Sequence, residues 1–142
     1  MKEIIIKILA YQRSLAIYYK TAHWQSKGSL FYSDHLLFDR LHNSVQEEID
    51  TVAEKGIGLT SDISVVNPVT HLKLVSEVME KMPTENNENI DYAKSALSLE
   101  KQFLSFLEEV GKEGSLGFQN MVGGIADNHE TNVYLLNQRS TK

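Results

Sequence analysis

The chain has 142 residues, 42% of them hydrophobic and 23% charged, with 14 basic against 19 acidic side chains and a net charge of −5. That is enough sequence for one domain, residues 1–142, with a core of its own, and it is too apolar for a disordered tail. The absence of cysteine excludes disulfides, thiolate zinc sites and iron–sulfur clusters and fits a cytoplasmic protein, while the acidic balance speaks against general affinity for nucleic acid.

Residues 1–10 are briefly apolar, but Glu3 and Lys7 interrupt them and no small-residue cleavage site follows. They read as the start of an amphipathic helix and not as a signal peptide. Ile4, Ile5, Ile8, Tyr11, Leu15, Tyr19 and Ala22 recur at helical spacing and predict a first helix of about 25 residues ending near Gly28. After residues 29–32, Ser33 is expected to cap a second helix, with Asp34 in its first turn. Its apolar stripe is Leu37, Leu41, Val45, Ile49 and Val52, and its expected end is Gly56 or Gly58.

A long connection to Asn89 follows. It holds Pro68, Pro83, a polar run over residues 84–89 and one short amphipathic helix over residues 71–81. The third helix carries Ala93, Ala96, Leu97, Phe103, Leu104, Leu107 and Val110, and Gly111 and Gly114 punctuate it. The fourth carries Phe118, Val122, Ile125, Val133 and Leu136. A link of about 30 residues is long for a compact bundle. A crossover along the bundle accounts for it, because it lets helices two and three run parallel. The expected fold is therefore all-α: a ferritin-like four-helix bundle with a short helix in the crossover. No stretch approaches the roughly 20 apolar residues that span a bilayer.

The chemistry falls on helix two. With His35 at zero on a helical wheel, Asp39 lies at about 40°, Asp50 at about 60° and Glu54 at about 100°. The apolar stripe centres near about 260°, on the opposite side. His35 and Asp39 are one turn apart, as are Asp50 and Glu54, but Asp39 and Asp50 are about 16 Å apart along the axis. One ion cannot bridge that gap with bonds on the order of 2 Å. An antiparallel neighbour across a two-fold axis would bring one chain's Asp50 and Glu54 opposite the other's His35 and Asp39, making two identical mixed sites. Acids and histidines on a polar helix face are also commonly just solvated, and the spacing leaves that reading open.

The segment His23-Trp24-Gln25-Ser26-Lys27-Gly28, then Phe31, His35, Asp39 and Asp50-Thr51-Val52-Ala53-Glu54-Lys55, resembles the ferroxidase signature of the Dps family of mini-ferritins. The matching pattern runs from a His-Trp pair near the end of the first helix to Asp-x-x-Ala-Glu near the end of the second. The resemblance implies that His23, His35, Asp39, Asp50 and Glu54 are the iron ligands and catalytic residues. Asp50 and Glu54 of one subunit, with His23 of another, would hold the tighter iron, and His35 and Asp39 would serve a weaker position. It further implies a homo-oligomeric shell of 12 subunits with two-fold shared sites, oxidation of Fe(II) with hydrogen peroxide or dioxygen, storage of the ferric product, and no organic cofactor. Peroxide is the expected oxidant, which would protect against oxidative damage. Mixed oxygen and nitrogen ligands suit iron, and also zinc or manganese. The larger ferritins place Glu-x-x-His pairs inside one bundle, and this chain has no such pair.

Other residues carry less. Trp24 is either close to the iron or an aromatic at a subunit interface. His42, about 20° behind His35 on the wheel, is an extra ligand, a supporting group or a surface residue. His129 falls on the apolar stripe of helix four, so a hydrogen-bonded, partly buried histidine is expected, and His71 has no partner visible in sequence. Gly123-Gly124 inside the fourth helix suggests either close helix approach or a kink. The resemblance suggests Asp127 for an iron-entry pore, with Glu109, Glu113, Lys112 and Gly117 nearby. Relatives that bind DNA do so through a lysine-rich tail. Residues 137–142 hold only two basic side chains, so DNA binding is not expected. The rival readings are a ferroxidase driven by dioxygen, a structural nucleoid protein whose cage coats DNA, and a metal-binding protein without turnover.

Overall fold

The computed structural model describes residues 1–85 and 90–141. Residues 86–89, within the polar run and the expected end of the crossover, and Lys142 lie outside the described residues. Among the described residues, five α-helices follow in order: α1 (Lys2–Gln25), α2 (Phe31–Thr60), α3 (Pro68–Met79), α4 (Tyr92–Val110) and α5 (Leu116–Ser140). A 3-10 turn over Ile63–Val66 precedes α3.

The direction of each helix follows from which residues meet. Gln12 touches Glu48 and His23 lies against His35, so α1 and α2 are antiparallel. Tyr19 meets Glu100 while Tyr11 stacks on Phe103, so α1 and α4 are antiparallel too. α2 and α4 are therefore parallel, and the crossover through α3 is what makes that possible. α5 runs antiparallel to α2, with Arg139 beside Asp34 at one end and Asn128 bonded to Glu48 further along. This is the ferritin-like bundle that the sequence predicts.

The core lies between the four long helices. Ile5, Ile8, Leu15, Tyr19, Phe38, Leu41, Val45, Phe103, Leu107, Phe118 and Leu136 are fully buried or nearly so. Each large side chain buried in this way contributes about 1.5–3 kcal/mol. All but Phe38 belong to the predicted stripes; on α2, Phe38 is buried where Leu37 and Ile49 were expected and are only partly buried. Burying these stripes fixes the rotation of each helix and leaves the opposite face of α2 outward.

Several helix ends differ from expectation. Ser33 is not a cap. α2 begins at Phe31, and the Ser33 hydroxyl donates to the Leu30 carbonyl from within the first turn. Asp34 does stand in that first turn and forms a bidentate pair with Arg139, at 2.7 and 3.0 Å. Nor does α2 stop at Gly56 or Gly58. It runs on to Thr60 and ends at Ser61 in the left-handed region, φ 52°. Gly56 serves packing instead, because an added Cβ would collide with Ile5 of α1. Pro68 opens α3, three residues before the expected start, with the Asn67 side chain accepting from the Val69 amide. Gly123 and Gly124 are exposed, have open space beside them and interrupt nothing, so neither close approach nor a kink within the subunit explains them.

Candidate metal centre

α1 and α2 form an antiparallel pair whose outer groove carries three histidines. The groups nearest its end are His23, in the last turn of α1, and His35, in the second turn of α2. Their rings stack face to face with centroids 3.7 Å apart and 17° between planes. Phe31 also stacks on His35, with ring centroids 4.9 Å apart. Each imidazole is tied to the other's backbone: His23 Nδ1 donates to the His35 carbonyl at 2.6 Å, and His35 Nδ1 donates to the His23 carbonyl at 2.9 Å. A carbonyl can only accept, so Nδ1 carries the hydrogen and the neutral ring keeps its lone pair on Nε2. This arrangement orients a metal-binding histidine.

Asp39 follows His35 by one turn. Lys20 of α1 donates to its Oδ1 at 3.0 Å, and His23 Nε2 stands 4.0 Å from the same oxygen. The hydrogen bond from Lys20 holds the Asp39 carboxyl below the usual range, against a smaller opposing effect of burial, with help from the charges of Lys20, His23 and His42. His23, His35 and Asp39 are thus brought together. Asp50 and Glu54 are not. They lie exposed near the far end of α2, with no hydrogen bond or ion pair among the described residues.

Among the described residues of a single chain, no group of three or more histidine, aspartate or glutamate side chains could hold a metal ion. A cleft of about 410 Å³ opens between α1, α3 and α4, lined by Lys7, Tyr11, Val78 and Leu99, but none of the candidate ligands lines it. The candidate ligands therefore sit on an open helix face and not in this cleft. Trp24, next to His23, is 70% exposed, and Tyr32 and Leu36 also stand out from the surface.

Neither a family model nor a curated protein matches the sequence. Solved structures do. Dps from Thermosynechococcus elongatus superposes with a TM-score of 0.82 over 99% of this chain and 91% of that one, at 19% identity. DpsC from Streptomyces coelicolor gives 0.80 over 99% and 83%, at 22% identity. The chain has the Dps fold. A Dps protein from Vibrio cholerae O1, described as a member of a broad superfamily of ferritin-like diiron-carboxylate proteins, gives 0.68 over 99% and 88%, at 20% identity. At such identities the likeness is one of fold, and what the chain does has to be argued from its own residues.

Within the Dps fold of this chain, a second polar group lies at the centre of the bundle. His129 is fully buried between two acids, donating through Nδ1 to Glu100 at 2.5 Å and through Nε2 to Glu48 at 2.8 Å. Tyr19 and Asn132 also donate to Glu100, and Gln12 and Asn128 to Glu48. Burial alone would pull the His129 pKa down, but the hydrogen bonds to Glu100 and Glu48 outweigh it and push the pKa up to about 9. His129 was expected to be hydrogen-bonded and partly buried, whereas Gln12, Glu48 and Glu100 were not anticipated at all. The signal was present: each replaces an apolar residue in its helix's stripe, as Glu100 does between Ala96 and Phe103. His71 also has partners. Its Nε2 donates to the Val65 carbonyl, and its Nδ1 accepts from Arg13 at 3.0 Å.

Proposed function

We propose that the chain is a subunit of a hollow homo-oligomeric shell, a dodecamer as in the Dps resemblance, that oxidises Fe(II) between subunits and stores the ferric product inside. His23, His35 and Asp39 of one subunit and Asp50 and Glu54 of a second are the ligands of that centre. The observation that carries this reading is the pair of histidines whose Nδ1 atoms are fixed by backbone carbonyls, set on the same outward face as three acids that one chain cannot bring together.

The residues divide the work by chemistry. His23 and His35 offer nitrogen ligands through Nε2, since Nδ1 of each is engaged by a carbonyl, while Asp50 and Glu54 bring negative charge that favours iron as it becomes ferric. Two ferrous ions each give one electron to hydrogen peroxide, whose O–O bond breaks and which takes up two protons from water to leave as two water molecules, so no hydroxyl radical is released. Exposed Trp24, Tyr32, Leu36 and Ile63 support burial of this surface against other subunits. No helix among the described residues is long and apolar enough to cross a membrane.

Mixing subunits tests the sharing. One parent carries His23→Ala, His35→Ala and Asp39→Ala, and the other carries Asp50→Ala and Glu54→Ala. Each alone should be nearly inactive in anaerobic Fe(II) loading followed by peroxide. Co-assembled, a mixed pair regains one centre made of the two intact halves, so activity should return in part. A verified co-assembly as inactive as its parents would refute the shared centre.

A further inference from the structure

The cleft between α1, α3 and α4 takes no part in the metal chemistry and has a chemical character of its own. Its volume of about 410 Å³ falls in the range of about 300–1,000 Å³ typical of small-molecule sites. Short side chains leave it open. Ser95 and Ser98 lie three residues apart, hence on one face of α4, and Ala10 stands beside them on α1. None of the three is long enough to fill the space before Leu74 and Val78 of α3. The cleft is elongated, since Ser95 and Gln102 both line it and lie about 10 Å apart along α4. Contacts around it fix what stands at each end. Lys7 marks the Gln102 end: Tyr11, one turn on, stacks on Phe103, and the Lys7 ammonium lies 4.8 Å from the centre of the Phe106 ring, one turn beyond Gln102. Met82 and Pro83 mark the Ser95 end, because the Thr84 carbonyl accepts from Gln25, which also accepts from the Tyr92 hydroxyl at the start of α4. Between the ends, Leu99 on one side and Val78 on the other make apolar walls.

Two cations line the cleft against one acid, Lys7 and Lys81 against Glu77, in a chain whose net charge is −5. The ion pairs among the described residues involve neither lysine. The face of the Phe106 ring attracts the Lys7 ammonium and fixes where it stands, but it brings no negative charge to neutralise it. We propose that the cleft binds a small amphiphilic carboxylate, its head on the Lys7 ammonium and its apolar body between Leu99 and Val78, pointing toward Met82. A space about 10 Å long with apolar walls suits an extended alkyl chain of about eight to ten carbons. A helix, about 10 Å across with its side chains, does not fit, which sets a small molecule above a docked protein segment. The inference is independent of the metal centre, because none of the candidate iron ligands lines this cleft.

The test is calorimetric titration of the assembled protein with decanoate, kept below its micelle concentration, and with decylamine as the cationic counterpart. Decanoate should bind saturably, one molecule per subunit, and decylamine should not. Octanoate should bind about tenfold more weakly than decanoate, because two fewer methylenes are buried. Chains longer than the cleft should gain little more. Lys7→Gln keeps a side chain of similar length without the charge. It should weaken decanoate by about tenfold, and Lys81→Gln should weaken it less. Ser98→Leu fills the space from the α4 wall and should abolish binding while keeping the melting temperature. If Ser98→Leu fails to fold, Lys7→Gln and decylamine still decide. Equal binding of decylamine, or wild-type binding by Ser98→Leu, overturns the site. A loss confined to Lys81→Gln overturns the placement of the head group. No saturable binding to the assembled protein also overturns the site and leaves the cleft to a side chain of a neighbouring subunit. None of these readouts involves iron, so the shared metal centre stands or falls separately.

Discussion

At the residue scale, the histidines divide by which atoms their nitrogens meet. His23, His35 and His42 spend one nitrogen on a carbonyl and keep one lone pair, so they suit metal. His129 spends both nitrogens on carboxylates, so it holds a proton. That proton has a measurable consequence. The folded pKa of about 9 lies above the unfolded value of about 6.5. The stabilisation is therefore complete below about pH 6.5 and is lost as pH rises through about 9. Thermal melts across this window should show a falling melting temperature, and a flat profile would contradict it. Glu100→Gln leaves the imidazolium with one charged partner. It should cost about 3–5 kcal/mol in denaturant unfolding and move the alkaline decline to lower pH.

At the element scale, the pairing of α1 with α2 builds the candidate centre, and small residues control how closely the two helices approach. Gly56 faces Ile5 with no room for a side chain, whereas Gly58 faces open space. Gly56→Val should cost about 1–3 kcal/mol through overpacking. Gly58→Ala should gain up to about 0.5 kcal/mol, because a glycine in the last turn of the helix gives up backbone entropy without packing in return. Caps separate the same way. Asp91 accepts from the Ala93 and Lys94 amides at the start of α4, so Asp91→Ala should cost about 1 kcal/mol. Ser33 caps nothing, and Ser33→Ala should be nearly neutral. Urea unfolding of the four variants side by side distinguishes the roles.

At the scale of the whole molecule, a surface with exposed Trp24, Ile63 and Leu116 is expected to be an assembly surface. Multi-angle light scattering should give about twelve times the chain mass of 16.1 kDa, and a stable monomer at micromolar concentration would remove both the shell and the shared centre. DNA should bind weakly. The net charge is −5, and Arg139 near the C-terminal end is engaged by Asp34 through two hydrogen bonds. A gel-shift titration at near-physiological salt should show little retention, and tight, salt-resistant binding would overturn that reading.

The sequence by itself determined the four long helices, the crossover and the face on which His35, Asp39, Asp50 and Glu54 lie. Helical periodicity is a local property, and burying the stripe of Leu41, Val45 and Val52 fixes the rotation of α2 without knowledge of its neighbours. The ends of α2 were not legible, because glycine ends a helix only where no neighbour demands its smallness, and Ile5 lies 51 positions away in the chain. Only the tertiary structure decided which nitrogen of each histidine is free. The answer depends on carbonyls of the opposite helix, 12 to 26 residues distant, being in hydrogen-bond register. It alone also brought Gln12, Glu48, Glu100 and His129 from four helices to one point, since a polar residue in an apolar stripe announces that it needs a partner but not which one.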